Sequence, residues 1–221
     1  MNNKYIAMIP ARLGSQRLKK KNLALLNGIP LISHAIRKCL QLDCFDQVWV
    51  NSEDDVIGQI AIDEGAFFHK RPSDLANNKA TSEDFICEFL KCHDCEALFQ
   101  VHSIAPLLNG SEINDFVKFY SKNEFDTLYS CINDQIEVAY ENKPVNFTFS
   151  EKTNSQNLTP VQRMTWAITA WKRSIFLEAI NKNKNATYFG KKGFYPVSAH
   201  SGHVIKTHDD LLIASALLNI K

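Results

Sequence analysis

The sequence predicts an α/β fold built on a largely parallel sheet flanked by helices. Two observations carry this expectation. Apolar runs of strand length recur at Tyr5–Ile9, Val48–Val50, Ala66–His69, Ala97–Val101 and Thr127–Ile132. Between them lie segments whose apolar residues repeat at helical spacing. In sheets of this kind ligands bind outside the carboxyl ends of the strands, so function is sought in the loops that follow them.

The first strand, Tyr5–Ile9, stops at Pro10, which has no amide hydrogen for a sheet ladder. A basic loop follows, carrying Arg12, Gly14, Ser15, Arg17 and then Lys19, Lys20 and Lys21. A strand leading into a glycine-bearing basic loop suits phosphate, because glycine admits the anion to the backbone and fixed cations neutralise it. The bland reading is a solvated turn. The spacing matches neither the P-loop nor the dinucleotide fingerprint.

From Pro30 to Leu42, the residues Leu31, Ile32, Ala35, Ile36 and Leu40 fall on a helical face. Val48–Val50 runs into Asn51-Ser52-Glu53-Asp54, a cap for a helix over Val56–Glu64 that Gly65 ends. Phe85, Ile86, Phe89 and Leu90 form the apolar face of the next helix, with Thr81 or Ser82 as its cap, and Ile113–Tyr120 is a further helix. The stretch from Asp134 to Thr165 breaks the rhythm. It is rich in Asn, Thr, Ser, Gln and Lys, with Tyr140, Phe147 and Phe149 among them. A structureless segment of that length is uncommon inside a domain, so a projecting arm is expected, against a disordered flap. Trp171, in an aromatic stripe, is assigned to the core, and Thr207 to the cap of the last helix.

At 221 residues the chain fits a single domain over 1–221, with residues 134–165 as an excursion. The 25 basic and 24 acidic residues nearly cancel, so no nucleic-acid or membrane footprint is expected. The N-terminus is too polar for a signal peptide, and no apolar run reaches the roughly 18 residues of a membrane span. The expected location is the cytoplasm, where the six cysteines are reduced thiols. Cys92, His93 and Cys95, with Cys87 a turn earlier, lack a matching ligand pair and read as thiols rather than zinc ligands.

Taken together, Pro10-Ala11-Arg12, Gly14-Ser15, Arg17-Leu18, Lys21-Asn22-Leu23, Asn27-Gly28 and Pro30-Leu31-Ile32 resemble the signature of the cytidylyltransferases. These enzymes make CMP-sialic acid, its bacterial nonulosonate relatives and CMP-3-deoxy-manno-octulosonate. The resemblance implies a Rossmann-like nucleotidyltransferase fold and a loop that wraps the triphosphate of CTP. Arg12 and Lys21 match the catalytic arginine and lysine, which stabilise charge as pyrophosphate leaves. Arg71-Pro72, Leu75-Ala76 and Ala80-Thr81-Ser82 resemble the second motif. The nucleotide contacts implied are Ala11, Arg12, Gly14, Ser15, Asn22, Arg71, Ala80 and Ser82. Gln100-Val101-His102-Ser103-Ile104-Ala105-Pro106 resembles a variant of the motif after the central strand, so Gln100 and His102 become candidate substrate contacts. Lys172, Arg173 and Lys191 are candidates for the acceptor's carboxylate. The arm at 134–165 corresponds to a region that forms a homodimer in the family.

The chain departs from the family at two places. Where relatives carry a glycine in a late strand, this chain has Trp166 or Ala167. Where relatives carry two aspartates that hold magnesium, it has Val204 and Lys206. A lysine cannot coordinate magnesium, which requires oxygen ligands. Three readings stay open: Lys206 replaces the metal's charge, Asp209 supplies a carboxylate, or catalysis is lost and CTP binding kept. The function implied is CMP transfer from CTP to the anomeric hydroxyl of a 2-keto-3-deoxy sugar acid, for surface polysaccharide biosynthesis.

Overall fold

The central strand is apolar throughout because it is covered on both faces, and the rest of the molecule is laid out around it. The computed structural model describes residues 4–220. In chain order the elements begin with β1 (Tyr5–Pro10), the short β2 (Leu25–Leu26) and β3 (Ile29–Pro30), α1 (Leu31–Leu40) and β4 (Gln47–Ser52). They continue with α2 (Asp55–Asp63), β5 (Phe67–Lys70), α3 (Ser82–Cys92), β6 (Ala97–Val101), α4 (Gly110–Asn123) and β7 (Thr127–Asp134). The small β8 (Ala139–Tyr140) and β9 (Lys143–Pro144) follow, then β10 (Val161–Lys172), α5 (Arg173–Asn181), β11 (Lys192–Pro196) and α6 (His208–Asn219).

Seven strands form one sheet in the order β11-β7-β10-β6-β1-β4-β5. β1 pairs in parallel with β4 and β6, as do β4 with β5 and β7 with β11. β10 runs antiparallel to both β6 and β7, so a reversed strand lies inside an otherwise parallel sheet. One buried cluster joins one face of the sheet to α1, α2 and α4, and a second joins the other face to α3 and α5. Trp171 lies in the second, 1% exposed, and its indole N–H donates to the Thr187 carbonyl at 3.2 Å.

The helix starts follow from their caps. Thr81 caps α3 and forms a reciprocal box with Asp84, so Ser82 is the first helical residue and not the cap. Asn109 with Glu112, and Thr207 with Asp210, form the same box on α4 and α6. Asp54 accepts from the Ile57 amide at 3.0 Å and caps α2. Asp54→Ala is expected to cost about 1 kcal/mol in a denaturant titration, the usual contribution of such a cap.

The sheet holds more of the chain than the sequence pattern shows. Pro10 is the last residue of β1, opposite Asn51, and the next amide, that of Ala11, donates to the Asn51 carbonyl at 3.0 Å. Asp134 and residues 161–165, read as part of the excursion, belong to β7 and β10. Between them the chain makes the β8–β9 hairpin and a turn at Ser155–Asn157. Asn146 fastens this segment by donating to the carbonyls of Ile136 and Thr159. Ile136, Tyr140, Val145 and Phe149 remain exposed on it.

β10 slips register against β7 between Met164 and Thr169. At this bulge Trp166 takes φ +59°, a left-handed conformation that bulky residues rarely adopt. Trp166 is one of the two residues, with Ala167, at which the resemblance implies a glycine, and it is the one that takes positive φ. The Ser130 hydroxyl accepts the freed Ile168 amide at 3.1 Å and pairs with the Thr165 hydroxyl at 2.8 Å. Tyr129 and Tyr188 pack edge-on against the Trp166 ring.

Candidate active site

A cavity of about 400 Å³ opens at the carboxyl ends of β1 and its neighbours. Arg12, Arg17, Lys21 and Arg71 line it together with Ser15 and His102, and no carboxylate does. Ala11 and Asn22 lie in the same wall. The fold thus brings the basic loop after β1, the residue following β5 and the residue following β6 to one place.

The loop is held from beneath. Asn22, buried, donates from its amide to the Arg12 carbonyl at 2.9 Å and accepts from the Ser103 hydroxyl at 2.7 Å. Its side chain therefore shapes the loop as well as bordering the cavity. The Leu13 amide donates to Glu53 Oε1 at 2.9 Å. Arg12 reaches across to the loop before α3, donating to the Asn77 carbonyl and Asn78 Oδ1, both at 3.1 Å. A Cβ added at Gly14 would meet nothing, so this glycine leaves open space rather than permitting a turn.

Lys21 donates to the Ile205 carbonyl at 3.2 Å. Burial lowers its pKa first, and the like charges of Arg17, Arg12 and Lys206 lower it further. A lysine in that setting binds an anion with relief of repulsion. Arg71, 3% exposed, donates from Nε to Asn51 Oδ1 at 2.5 Å and from Nη2 to the Asn51 carbonyl at 2.8 Å. Its guanidinium carbon sits 4.1 Å from the centre of the Phe85 ring. Burial brings the Arg71 pKa down to about 10, so it stays cationic, with Nη1 left for a ligand.

Two further cavities adjoin the first. One, of about 430 Å³, includes Ser82, Gln100, Trp166, Thr187 and Tyr188, and meets the first cavity at His102. The other, of about 450 Å³, includes Arg163, Trp166, His203, Val204 and Lys206, and meets it at Ile104. Gln100 is 3% exposed and leaves its Oε1 without a partner, while its amide nitrogen bonds the His102 ring. Ser82 thus faces the second cavity rather than the first, and Gly14 and Ala80 line none of the three.

Burial, then the charge of Lys21, pushes His102 down to about 4. As pH falls below the ordinary histidine value, the unfolded chain takes up this proton before the folded one does. The stability that a neutral His102 allows is present above about pH 6.5 and lost towards pH 4. Between pH 7 and pH 5 the wild type should therefore lose about 2 kcal/mol more than His102→Gln in paired urea titrations.

The three candidates for an acceptor carboxylate lie at the wrong end of the sheet. Lys172 stands opposite Ala97, at the amino end of β6, because β10 runs antiparallel. Arg173 donates to the Leu90 carbonyl at 3.0 Å and pairs with Asp94 at 3.3 Å. Lys191 donates to the Asn123 carbonyl at 3.0 Å. Sequence reasoning also missed Asn51, Phe85 and Ser103, the partners that position Arg71 and Asn22. Ser103 sits in the same strand-end motif as His102, the one local signal that pointed to it.

A family model described as cytidylyltransferase matches residues 6–218. The chain belongs to the cytidylyltransferase family. It is 36% identical over 145 residues to an N-acylneuraminate cytidylyltransferase of Escherichia coli, covering 65% of this chain and 33% of that protein. A pseudaminic acid cytidylyltransferase of Campylobacter jejuni is 29% identical over 175 residues, 71% of this chain and 73% of that one. The matched stretch is thus about a third of the length of the Escherichia coli relative. Among solved structures, CMP:2-keto-3-deoxy-manno-octonic acid synthetase complexed with CTP superimposes with a TM-score of 0.72 at 17% identity, covering 97% of this chain and 98% of that one. A 4-diphosphocytidyl-2C-methyl-D-erythritol synthase from Anaerococcus prevotii superimposes at 0.71 and 14% identity, with 98% of both chains covered. At those identities the structures establish a shared nucleotidyltransferase fold of Rossmann-like type.

Neither of the two positions that the resemblance matches to magnesium-holding aspartates offers a ligand. Val204 offers no donor and Lys206 repels a cation. Asp209 is exposed on the first turn of α6 and lines none of the three cavities. Asp210 caps α6, with one carboxylate oxygen accepting from the Lys206 and Thr207 amides, each at 2.8 Å, and from the Thr207 hydroxyl at 2.9 Å. Among the described residues no cluster of three His, Cys, Asp or Glu side chains could hold a metal. Cys92 instead donates to Glu88 Oε1 at 3.5 Å, and His69 bridges Glu88 and His93.

Proposed function

We propose that this chain transfers CMP from CTP to the anomeric hydroxyl of a 2-keto-3-deoxy sugar acid of the sialic or related nonulosonic type. The observation that carries the reading is the carboxylate-free basic cavity joined, through His102 and Ile104, to two cavities large enough for a sugar. The relatives at 36% and 29% identity, named for N-acylneuraminate and pseudaminic acid, support that acceptor class.

The anomeric oxygen attacks the α-phosphorus, the bond from that phosphorus to the bridging oxygen breaks, and pyrophosphate leaves with the bonding pair. The hydroxyl proton passes to solvent. Arg12 and Lys21 neutralise the departing charge, while Arg71 holds the nucleoside against Phe85. Gln100 and neutral His102 face the acceptor. The reaction would run in the cytoplasm and supply an activated sugar for surface polysaccharide. The exposed apolar side chains of the 134–165 segment fit a homodimer contact.

The alternative reading, a relative that binds CTP or CMP without turnover, is favoured by Val204 and Lys206. Pyrophosphate release from CTP, assayed with sialic, legionaminic, pseudaminic and octulosonic acids, separates the two. Release with one acid supports transfer and names the substrate. Binding of CTP without release from any acid supports the alternative.

A further inference from the structure

Five cations surround the proposed triphosphate position, and the carboxylates that act on them, Asp210 on Lys21 and Glu53 on Arg71, form no ion pair with them among the described residues. Arg12, Arg17, Lys21 and Arg71 line one cavity, and Lys206 lines the cavity that meets it at Ile104. Among the described residues none of the five has a carboxylate partner within ion-pair distance, whereas Arg163, beside Lys206, is paired with Asp134 at 2.6 Å. Lys21 and Lys206 flank Ile205, whose carbonyl accepts from the Lys21 ammonium at 3.2 Å. A carboxylate at position 206 would neutralise this cluster and give a divalent ion its ligand; a lysine there does the reverse. Placing an unpaired ammonium beside three other unpaired cations costs free energy unless a polyanion arrives.

Resting on the proposed use of CTP, we infer that Lys206 is a phosphate-binding residue and that Arg12, Arg17, Lys21 and Lys206 together hold the triphosphate without a protein-bound divalent ion. Lys206 puts a cation where the resemblance implies a magnesium-holding aspartate. The fully ionised triphosphate, carrying about four negative charges, meets a matching number of protein charges. The lowered pKa of Lys21 agrees, since the anion reverses the repulsion that depresses it. Complexation by magnesium removes two of the ligand's negative charges, so the cluster prefers the free nucleotide.

The test is titration calorimetry of the whole chain with CTP, once in excess EDTA and once in excess magnesium, for the wild type, Lys206→Ala and Lys206→Asp. Lys206 is exposed, so neither change disturbs packing. The wild type is expected to bind CTP at least as tightly in EDTA as in magnesium. Lys206→Ala should weaken binding in EDTA about tenfold, the usual effect of losing one charge-assisted contact. Lys206→Asp should weaken it further in EDTA and make magnesium strengthen binding. Wild-type binding tightened tenfold or more by magnesium overturns the inference while leaving a CTP site intact. An unchanged affinity in Lys206→Ala also overturns it. Absence of CTP binding by the wild type in both conditions overturns the proposed function itself.

Discussion

Lys21→Met is expected to lower kcat for CMP transfer by roughly 10²–10³-fold, or about 3–4 kcal/mol of barrier, the range seen when one prepositioned group facing developing charge is removed. The geometry explains why the effect falls on the chemical step. The ammonium is tethered to the Ile205 carbonyl at 3.2 Å, so it does not reorganise as charge builds on the leaving group. Methionine keeps the length and apolar stem, which preserves packing in a half-buried position. The affinity for CTP should fall less than kcat, because Arg12 and Arg17 still meet the ground-state anion. A second readout follows from the lowered pKa of Lys21. CTP binding raises it again, so binding takes up a proton at alkaline pH, visible as a dependence of the binding enthalpy on the buffer. That uptake should vanish in Lys21→Met. A loss confined to KM, with kcat unchanged, would remove Lys21 from the chemical step.

Arg71→Ala should weaken CTP binding about a hundredfold and destabilise the fold by about 2–3 kcal/mol, since a buried charge-assisted pair is lost and its acceptors stay behind. Asn51 Oδ1, in the buried strand β4, loses the Arg71 Nε donor, while the Asn51 carbonyl keeps the Ala11 amide. The Phe85 ring loses the cation above it. Arg71→Lys separates the two roles. A lysine restores charge but cannot hold two acceptors and a ligand from one planar fork. Its stability should recover in part, measured by chemical denaturation, while CTP affinity stays low. Full recovery of affinity in Arg71→Lys would show that charge alone, and not the fork set by Asn51, is what the nucleotide meets.

The basic loop after β1 was legible because its logic is local. Arg12, Ser15, Lys21 and Asn22 follow a strand closely enough that sequence spacing places them at its carboxyl end, and Arg71 follows β5 in the same way. What escaped was anything that depends on strand direction or long-range partners. By sequence alone, Lys172 and Arg173 are candidates for the acceptor's carboxylate. They belong to the far end of the sheet because β10 enters antiparallel, a direction that the pattern of the strand does not reveal. Trp166 escaped for a different reason. A tryptophan at positive φ contradicts its own propensity, and only the bulge against β7, satisfied by Ser130, holds it there. Asn51 looked like a helix cap and proved to be the seat of Arg71, because a side-chain amide serves either use and only the tertiary fold chooses.

The central claim is that the bond between the α-phosphorus and the bridging oxygen of CTP breaks as the sugar acid is joined. Phosphorus NMR of CTP mixed with the protein and the acceptor acids reads that bond directly. The account predicts that the three triphosphate resonances give way to one phosphodiester resonance and the single resonance of pyrophosphate, in equal molar amounts. Appearance of CDP with inorganic phosphate, or a triphosphate spectrum unchanged with every acid, would contradict it.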